Sequence, residues 1–308
     1  MPRSKSGPAG HLPEETIVPE IYAHRMVRTL ALRIDDQPGR LGAVATAIGI
    51  GGGLVGEVTR DWRDSSHVYR RITVYVDNEA HLQQILELIK SGGGVDILEV
   101  VDEVLKIHEG GKIAISSRFA INSMEDLQKV YTPGVAGVCR LIEKDPALAR
   151  KYTWISNTVA IVTNGTAVLG LGDIGPLAGL PVMEGKSLIL KELAGVNCVP
   201  ILIDAKDADT IISTVERIYG GFGAIMLEDI AAPACFAAEE ELDRRLPIPV
   251  FHDDQHGTAI VALAGLINAL TQVGKSGCDI SVVINGAGAA GTAIAKMLSH
   301  FGVKEIVV

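Results

Sequence analysis

Aromatic side chains are scarce in this 308-residue sequence, at 4% of the total. Its cores must therefore be built from Val, Ile, Leu and Ala, a mix that suits α/β folds with buried parallel strands. A surplus of positive charge is also missing. Lys plus Arg number 28 against 37 for Asp plus Glu, a formal net charge of −9, and no basic stripe offers the surface that nucleic acid requires. Cysteine is limited to Cys139, Cys198, Cys235 and Cys278, with no Cys-x-x-Cys pair. That spacing excludes a zinc knuckle or thiol-exchange motif and leaves reduced, mostly buried, small apolar residues. No uninterrupted apolar run approaches the ~20 residues of a bilayer span. Residues 1–27 are polar, hold Pro2, Pro8, Pro13 and Pro19, and lack the apolar stretch of a secretory signal. A soluble protein without a membrane role, located in the cytoplasm, is expected. What is present, 47% apolar and 21% charged residues, excludes disorder and leaves room for two or three domains.

Residues 1–27 read as a flexible tail. From Arg28 the run RTLALRI alternates as a strand, DDQPGRLG makes a turn into a short apolar helix, and GGGLVGEVTRDW is extended. HVYRRITVYV is a strand, EAHLQQILELIK an amphipathic helix, and VDILEVVDEVLKI a last strand. This βαββαβ order over residues 28–107 predicts a ferredoxin-like module, two helices on one face of a four-stranded antiparallel sheet. Beyond it, Ser123–Tyr152 is mainly helical, and apolar strands then alternate with helices: TVAIVTNG, VNCVPILID, GAIMLEDI, IPVFHDD and DISVVING. Such alternation predicts parallel sheets with helical crossovers, divided here into a domain at 108–255 and a dinucleotide-binding start at 256–308. A dinucleotide-binding half needs strands beyond KEIVV, so the chain is expected to be truncated within that domain.

Gly286-Ala287-Gly288-Ala289-Ala290-Gly291 falls between a predicted strand and a predicted helix. In that context Gly286 permits a tight turn, Gly288 lets backbone approach a pyrophosphate, and Gly291 lets helix and strand close up. The alternative is an ordinary glycine-rich turn. NAD and NADP are not distinguished, because the discriminating acidic residue is expected ~20 residues on, where the sequence stops.

Two successive strands end in acidic pairs, Glu228-Asp229 and Asp253-Asp254. Strand carboxyl ends face the ligand crevice of a parallel sheet, and four converging carboxylates call for a divalent cation, with oxygen ligands favouring Mg²⁺ or Mn²⁺. The competing reading is that each pair caps a following helix or turn. Lys186, after a glycine and before an apolar run, is a candidate general base whose pKa burial and a nearby cation would lower; a snorkelling surface lysine is the alternative. Lys191 reads as structural. Tyr131, before the Thr132-Pro133-Gly134 turn, either donates a proton or covers the core rim. His252 and His256 flank the aspartates as ligands, as orienting partners or as packing residues.

Six segments, YTPGVAGV, NGTAVLGLGDIG, PVMEGKS, LEDIAAP, PVFHDDQHGTA and NGAGAAG, resemble in order and spacing those of malic enzymes of the bacterial type, from about Ser123 to Val308. The resemblance implies oxidative decarboxylation of malate to pyruvate and CO₂, with a nicotinamide cofactor (NAD or NADP) and Mg²⁺ or Mn²⁺. It places the family's proton-donating tyrosine on Tyr131, its lysine base on Lys186, and its metal carboxylates on Glu228, Asp229 and Asp254. Asp253 would support the base or orient substrate. Thr166 would offer a hydroxyl beside the cofactor, which Gly286 to Gly291 would bind.

Two departures stand out. Ala167 and Val168 occupy the place where the animal-type branch has an arginine ahead of LGLGD, so the substrate carboxylate must be met elsewhere. The asparagines that help bind malate and nicotinamide in the family would lie beyond Val308. The module at 28–107 resembles an ACT domain, with Asp36-Gln37-Pro38-Gly39-Arg40-Leu41 at the turn where such domains often meet an amino acid. This implies either an amino-acid-like effector or pure assembly, and a homodimer or larger homo-oligomer. Two alternatives stay open: a truncated, inactive chain acting as a regulatory subunit, and a metal-dependent 2-hydroxy-acid oxidoreductase that releases no CO₂.

Overall fold

The computed structural model describes residues 25–308 and falls into two units, Met1–Glu109 and Gly110–Val308. The tail expected over 1–27 lies outside the described residues as far as position 24, and strand begins at Met26. The first unit runs β1 (Met26–Asp35), α1 (Arg40–Ile50), β2 (Leu54–Arg63), β3 (His67–Val76), α2 (Glu79–Ser91), β4 (Val95–Asp102) and α3 (Glu103–His108). Its four strands pair antiparallel in the order β2-β3-β1-β4, the predicted ferredoxin-like topology.

Period-two alternation sends Leu30, Leu32 and Ile34 of β1 and Ile72, Val74 and Val76 of β3 to one buried face. Against it pack Val44 and Ile48 of α1 and Leu82, Ile85, Leu86 and Ile89 of α2, at helical spacing. α1 starts after Gly39, whose φ of 86° lies in the left-handed region that favours glycine. α2 starts at Asn78, whose side chain accepts from the His81 amide. The last strand is shorter than expected. VDILEVVDEVLKI reads as one extended run, but Asp102 accepts hydrogen bonds from the amides of Val104 and Leu105 and turns the chain into α3.

The second unit opens with α4 (Met124–Val130), α5 (Val135–Lys144) and α6 (Ala149–Tyr152). It continues through β5 (Thr158–Thr163), α7 (Pro176–Ala194), β6 (Asn197–Leu202), α8 (Ala208–Ile218), β7 (Ala224–Leu227), α9 (Ala234–Arg245) and β8 (Val250–His252). These four strands pair in parallel in the order β6-β5-β7-β8. Their core joins Ala160, Val162, Ile225 and Leu227 of the sheet to Ile211 and Val215 of α8 and Cys235, Ala238 and Leu242 of α9. A π-helical turn, Asp253–Gly257, leads into α10 (Thr258–Val273); β9 (Ser281–Val283), α11 (Ala289–Phe301) and β10 (Glu305–Val307) follow. β9 and β10 pair in parallel with α11 between them, a βαβ unit.

One expectation needs correction. Only Cys235 is buried and Cys198 partly so; Cys139 and Cys278 are exposed, since α5 buries none of its residues and Cys278 lies in a short turn beside the Ser276 hydroxyl. Among the described residues, Asp253–Val273 has the length (21 residues) and mean hydropathy (1.3) of a membrane span. Its first two residues are aspartates and its fourth is a histidine, so it is not an uninterrupted apolar run.

Candidate active site

Parallel pairing sets Leu227 of β7 opposite His252 of β8, so both strands release their acidic pairs at the same level of the sheet. One oxygen from each of Glu228, Asp229 and Asp254 lies within 4.8 Å of the others. Consecutive strand residues normally face opposite ways. Asp229 escapes that alternation with a φ of 54°, the left-handed region that Asp tolerates better than most residues. Neither acidic pair caps a helix, contrary to the local alternative: the Asp254 carboxylate accepts from the Asp229 amide at 2.9 Å, and α9 and α10 begin at Pro233 and Gly257 without side-chain caps.

Glu228 and Asp229 are 5% and 4% exposed. Burial, with Asp254 alongside and against the pull of Lys186, pushes the Glu228 carboxyl up to about 8 and that of Asp229 up to about 6. One oxygen of each, Glu228 Oε2 and Asp229 Oδ2, is buried without a hydrogen-bond partner. Buried orphan carboxylate oxygens are costly. Two of them in one three-carboxylate cluster fit a hard divalent cation, because all-oxygen donor sets suit Mg²⁺ or Mn²⁺.

Lys186 projects from the middle of α7, where Gly185 precedes it. Its Nζ donates to Asp253 Oδ2 at 2.5 Å and lies 3.1 Å from Glu228 Oε1. It is no snorkelling surface lysine. Burial alone would lower its pKa, but the two carboxylates outweigh burial and raise it. The expected downward shift is therefore not intrinsic to the side chains. Lys191 donates instead to Asn197 at 2.7 Å, on the flank of β6, in keeping with a structural role.

The two histidines divide. His252 is fully buried with Nε2 3.3 Å from Asp254 Oδ2, outside hydrogen-bond geometry. His256 turns away to within 2.7 Å of Glu239. Thr166 is also redirected: its hydroxyl donates to Asn164 Oδ1 at 2.7 Å and accepts from the Ala231 amide at 2.9 Å. Its own amide and that of Ala167 both bond the Asp229 carbonyl. The hydroxyl expected beside a cofactor thus fastens the loop that carries Asp229. Tyr131 caps the end of α4, 67% exposed, and no hydrogen bond joins its hydroxyl to the carboxylates.

Between β9 and α11, Gly286 adopts a φ of 116°. A Cβ built on Gly291 would stand 1.8 Å from the Gly286 carbonyl oxygen, whereas one on Gly288 would meet nothing within 4 Å. The turn is closed on its protein side by two glycines and open at the third, with Ala289 and Ala290 starting α11. That is a backbone cradle of the kind that holds a pyrophosphate. Asn164 and Glu239 were not singled out from sequence; both act through hydrogen bonds to distant residues, for which local patterning gives no signal.

Residues 110–243 match the family described as malic enzyme, N-terminal domain. The chain is 50% identical over 287 residues to NAD-dependent malic enzyme 1 of Bacillus subtilis, covering 93% of this chain and 65% of that one. It is 48% identical over 195 residues to an NADP-dependent malic enzyme of Haemophilus influenzae, covering 63% and 26%. A crystal structure of a malic enzyme from Pyrococcus horikoshii superposes with a TM-score of 0.64 at 48% identity, over 66% of this chain and 48% of that one. The chain thus spans less than two thirds of the length of these relatives.

Proposed function

We propose that the protein, whose residues 110–243 match the malic enzyme N-terminal domain, oxidatively decarboxylates malate to pyruvate and CO₂ with reduction of NAD or NADP. The observation that carries the proposal is the meeting of Glu228, Asp229 and Asp254 within 4.8 Å beside the Lys186–Asp253 pair. Glu228, Asp229 and Asp254 would hold the divalent cation, which the unpartnered buried oxygens of Glu228 and Asp229 fit. When bound, the cation supplies Lewis-acid polarisation of the substrate C2 oxygen, and the nicotinamide accepts the C2 hydride.

The chain's own groups move the protons. Lys186, oriented by Asp253, takes the proton of the C2 hydroxyl as an unprotonated amine. Its raised pKa means that the carboxylate charge around it must be offset before it can do so. After CO₂ leaves, the enol carbon needs a proton, and the role falls to Tyr131 on the strength of its YTPG motif. The Gly286–Gly291 turn would bind the dinucleotide through backbone amides.

For the first unit we propose an ACT-type module that senses an amino-acid-like effector, within a homodimer or larger homo-oligomer. Its sheet order and the Gly39 turn into α1 support this reading.

The test is an assay of the 308-residue protein with malate, Mn²⁺ and each nicotinamide, following cofactor reduction and CO₂ together. Equal yields are expected, with Lys186→Ala lowering turnover by at least ~10²-fold while Mn²⁺ still binds. Cofactor reduction without CO₂ would point to a simple 2-hydroxy-acid oxidoreductase. Turnover that survives Lys186→Ala would remove the lysine from the chemistry.

A further inference from the structure

The turn that carries Asp253 and Asp254 is a π-helical one, five residues long, a geometry that is rare and concentrated at functional sites. Such a turn has poorer internal hydrogen bonding than an α-helix, so something outside it must set its shape. The sheet does little, since β8 ends at His252 after three residues. The support comes from α9.

Glu239 sits on α9 four residues after Cys235 and three before Leu242, both fully buried, so it shares the helix face that packs into the core. Its side chain is only 13% exposed. A carboxylate in such a position is costly unless several polar partners meet it. Three do. Glu239 Oε1 accepts from the His252 amide at 3.0 Å and lies 2.7 Å from His256 Nε2, while Oε2 accepts from Gln255 Nε2 at 2.9 Å. Positions 252, 255 and 256 bracket Asp253 and Asp254, and Glu239 bonds neither aspartate itself. It grips the turn by its two ends and leaves the aspartates free to face Lys186 and the carboxylate cluster.

We propose that Glu239 is a positioning residue for the candidate active site: anchored by α9, it fixes the 253–257 turn so that Asp254 completes the cation site and Asp253 holds Lys186. The inference rests on the reading of Glu228, Asp229 and Asp254 as cation ligands. Because Glu239 touches no ligand oxygen, its loss should weaken cation binding without removing a donor, as loss of an outer partner does elsewhere, by ~10–100-fold.

The experiment uses the full 308-residue protein without malate or nicotinamide. Mn²⁺ binding is measured from the electron paramagnetic resonance of free Mn²⁺ at a temperature well below melting, for the parent protein and for Glu239→Ala, Glu239→Gln and Asp254→Asn. Glu239→Ala is expected to weaken Mn²⁺ at least ~10-fold. Glu239→Gln, whose amide oxygen still accepts from His252, should recover most of that loss, a rescue that general destabilisation would not produce. If Glu239→Ala does not fold, Gln255→Leu, which removes one of the two hydrogen-bond donors and keeps the carboxylate, should give a smaller loss in the same direction. A parent that binds Mn²⁺ in an Asp254-dependent way, with Glu239→Ala or Gln255→Leu binding as tightly as the parent, overturns this inference alone. A parent that binds no Mn²⁺, or binds it regardless of Asp254→Asn, overturns the cation reading and this inference with it.

Discussion

Burial holds the carboxyl of Glu228 near 8 and that of Asp229 near 6, against ordinary values of 4.5 and 3.8. The folded protein therefore keeps protons that the unfolded chain has released, and stability must fall as pH rises from about 4 toward about 8. A divalent cation held there, as proposed, would compete for the same oxygens, so its stabilising effect should grow over the same interval. Calorimetry of metal-free protein is expected to show a lower melting midpoint at pH ~8 than at pH ~5, with saturating Mn²⁺ raising the midpoint more at the higher pH. A metal-free midpoint that climbs with pH would mean that these carboxyls are not protonated in the fold. The acidic pairs and Lys186 were legible in sequence because each closes or interrupts an apolar run. The bonds made by Asn164, Thr166 and Glu239 were not legible, since the Thr166–Ala231 and Glu239–His252 bonds join separate segments. The side chains alone raise the Lys186 pKa, because of how closely Asp253 and Glu228 approach, which spacing along the chain does not reveal; the lowering expected from a nearby cation is a separate effect.

Between β9 and α11 the three glycines of one turn are constrained differently, and substitutions should separate them. Gly291→Ala must push its Cβ against the Gly286 carbonyl and is expected to cost ~1–3 kcal/mol of stability as well as dinucleotide affinity. Gly288→Ala meets open space, so it should fold as the parent does and lose affinity alone. Thermal melting and NADH fluorescence titration would read the two effects, and equal melting losses in both would contradict the open-cradle geometry. Strand and helix alternation was largely readable at this scale, because β1, β3 and α2 carry clean periods of two and 3.6. α3 was hidden because EVLKI also alternates; the deciding Asp102 cap is a single side chain.

Each of the two units has its own hydrophobic core, one built around Leu30, Ile72 and Ile85, the other around Ala160, Ile225 and Leu242. Residues 110–308 alone should therefore remain folded and keep the Mn²⁺-dependent rise in melting midpoint, while any response to amino acids should vanish with residues 1–109. Circular dichroism melts of the separated units test this, and failure of 110–308 to fold would make the first unit a structural necessity. The βαββαβ pattern of the first unit was legible because it closes on itself, and the two units divide after Glu109. One consequence concerns Asp229 and its left-handed backbone. Glycine would relax that conformation and remove one carboxylate from the three-residue cluster, so thermal robustness and the proposed cation site favour different occupants of one position. Heat-resistance screening blind to turnover would drift toward glycine there, and on the proposed function its sturdier descendants would be inert.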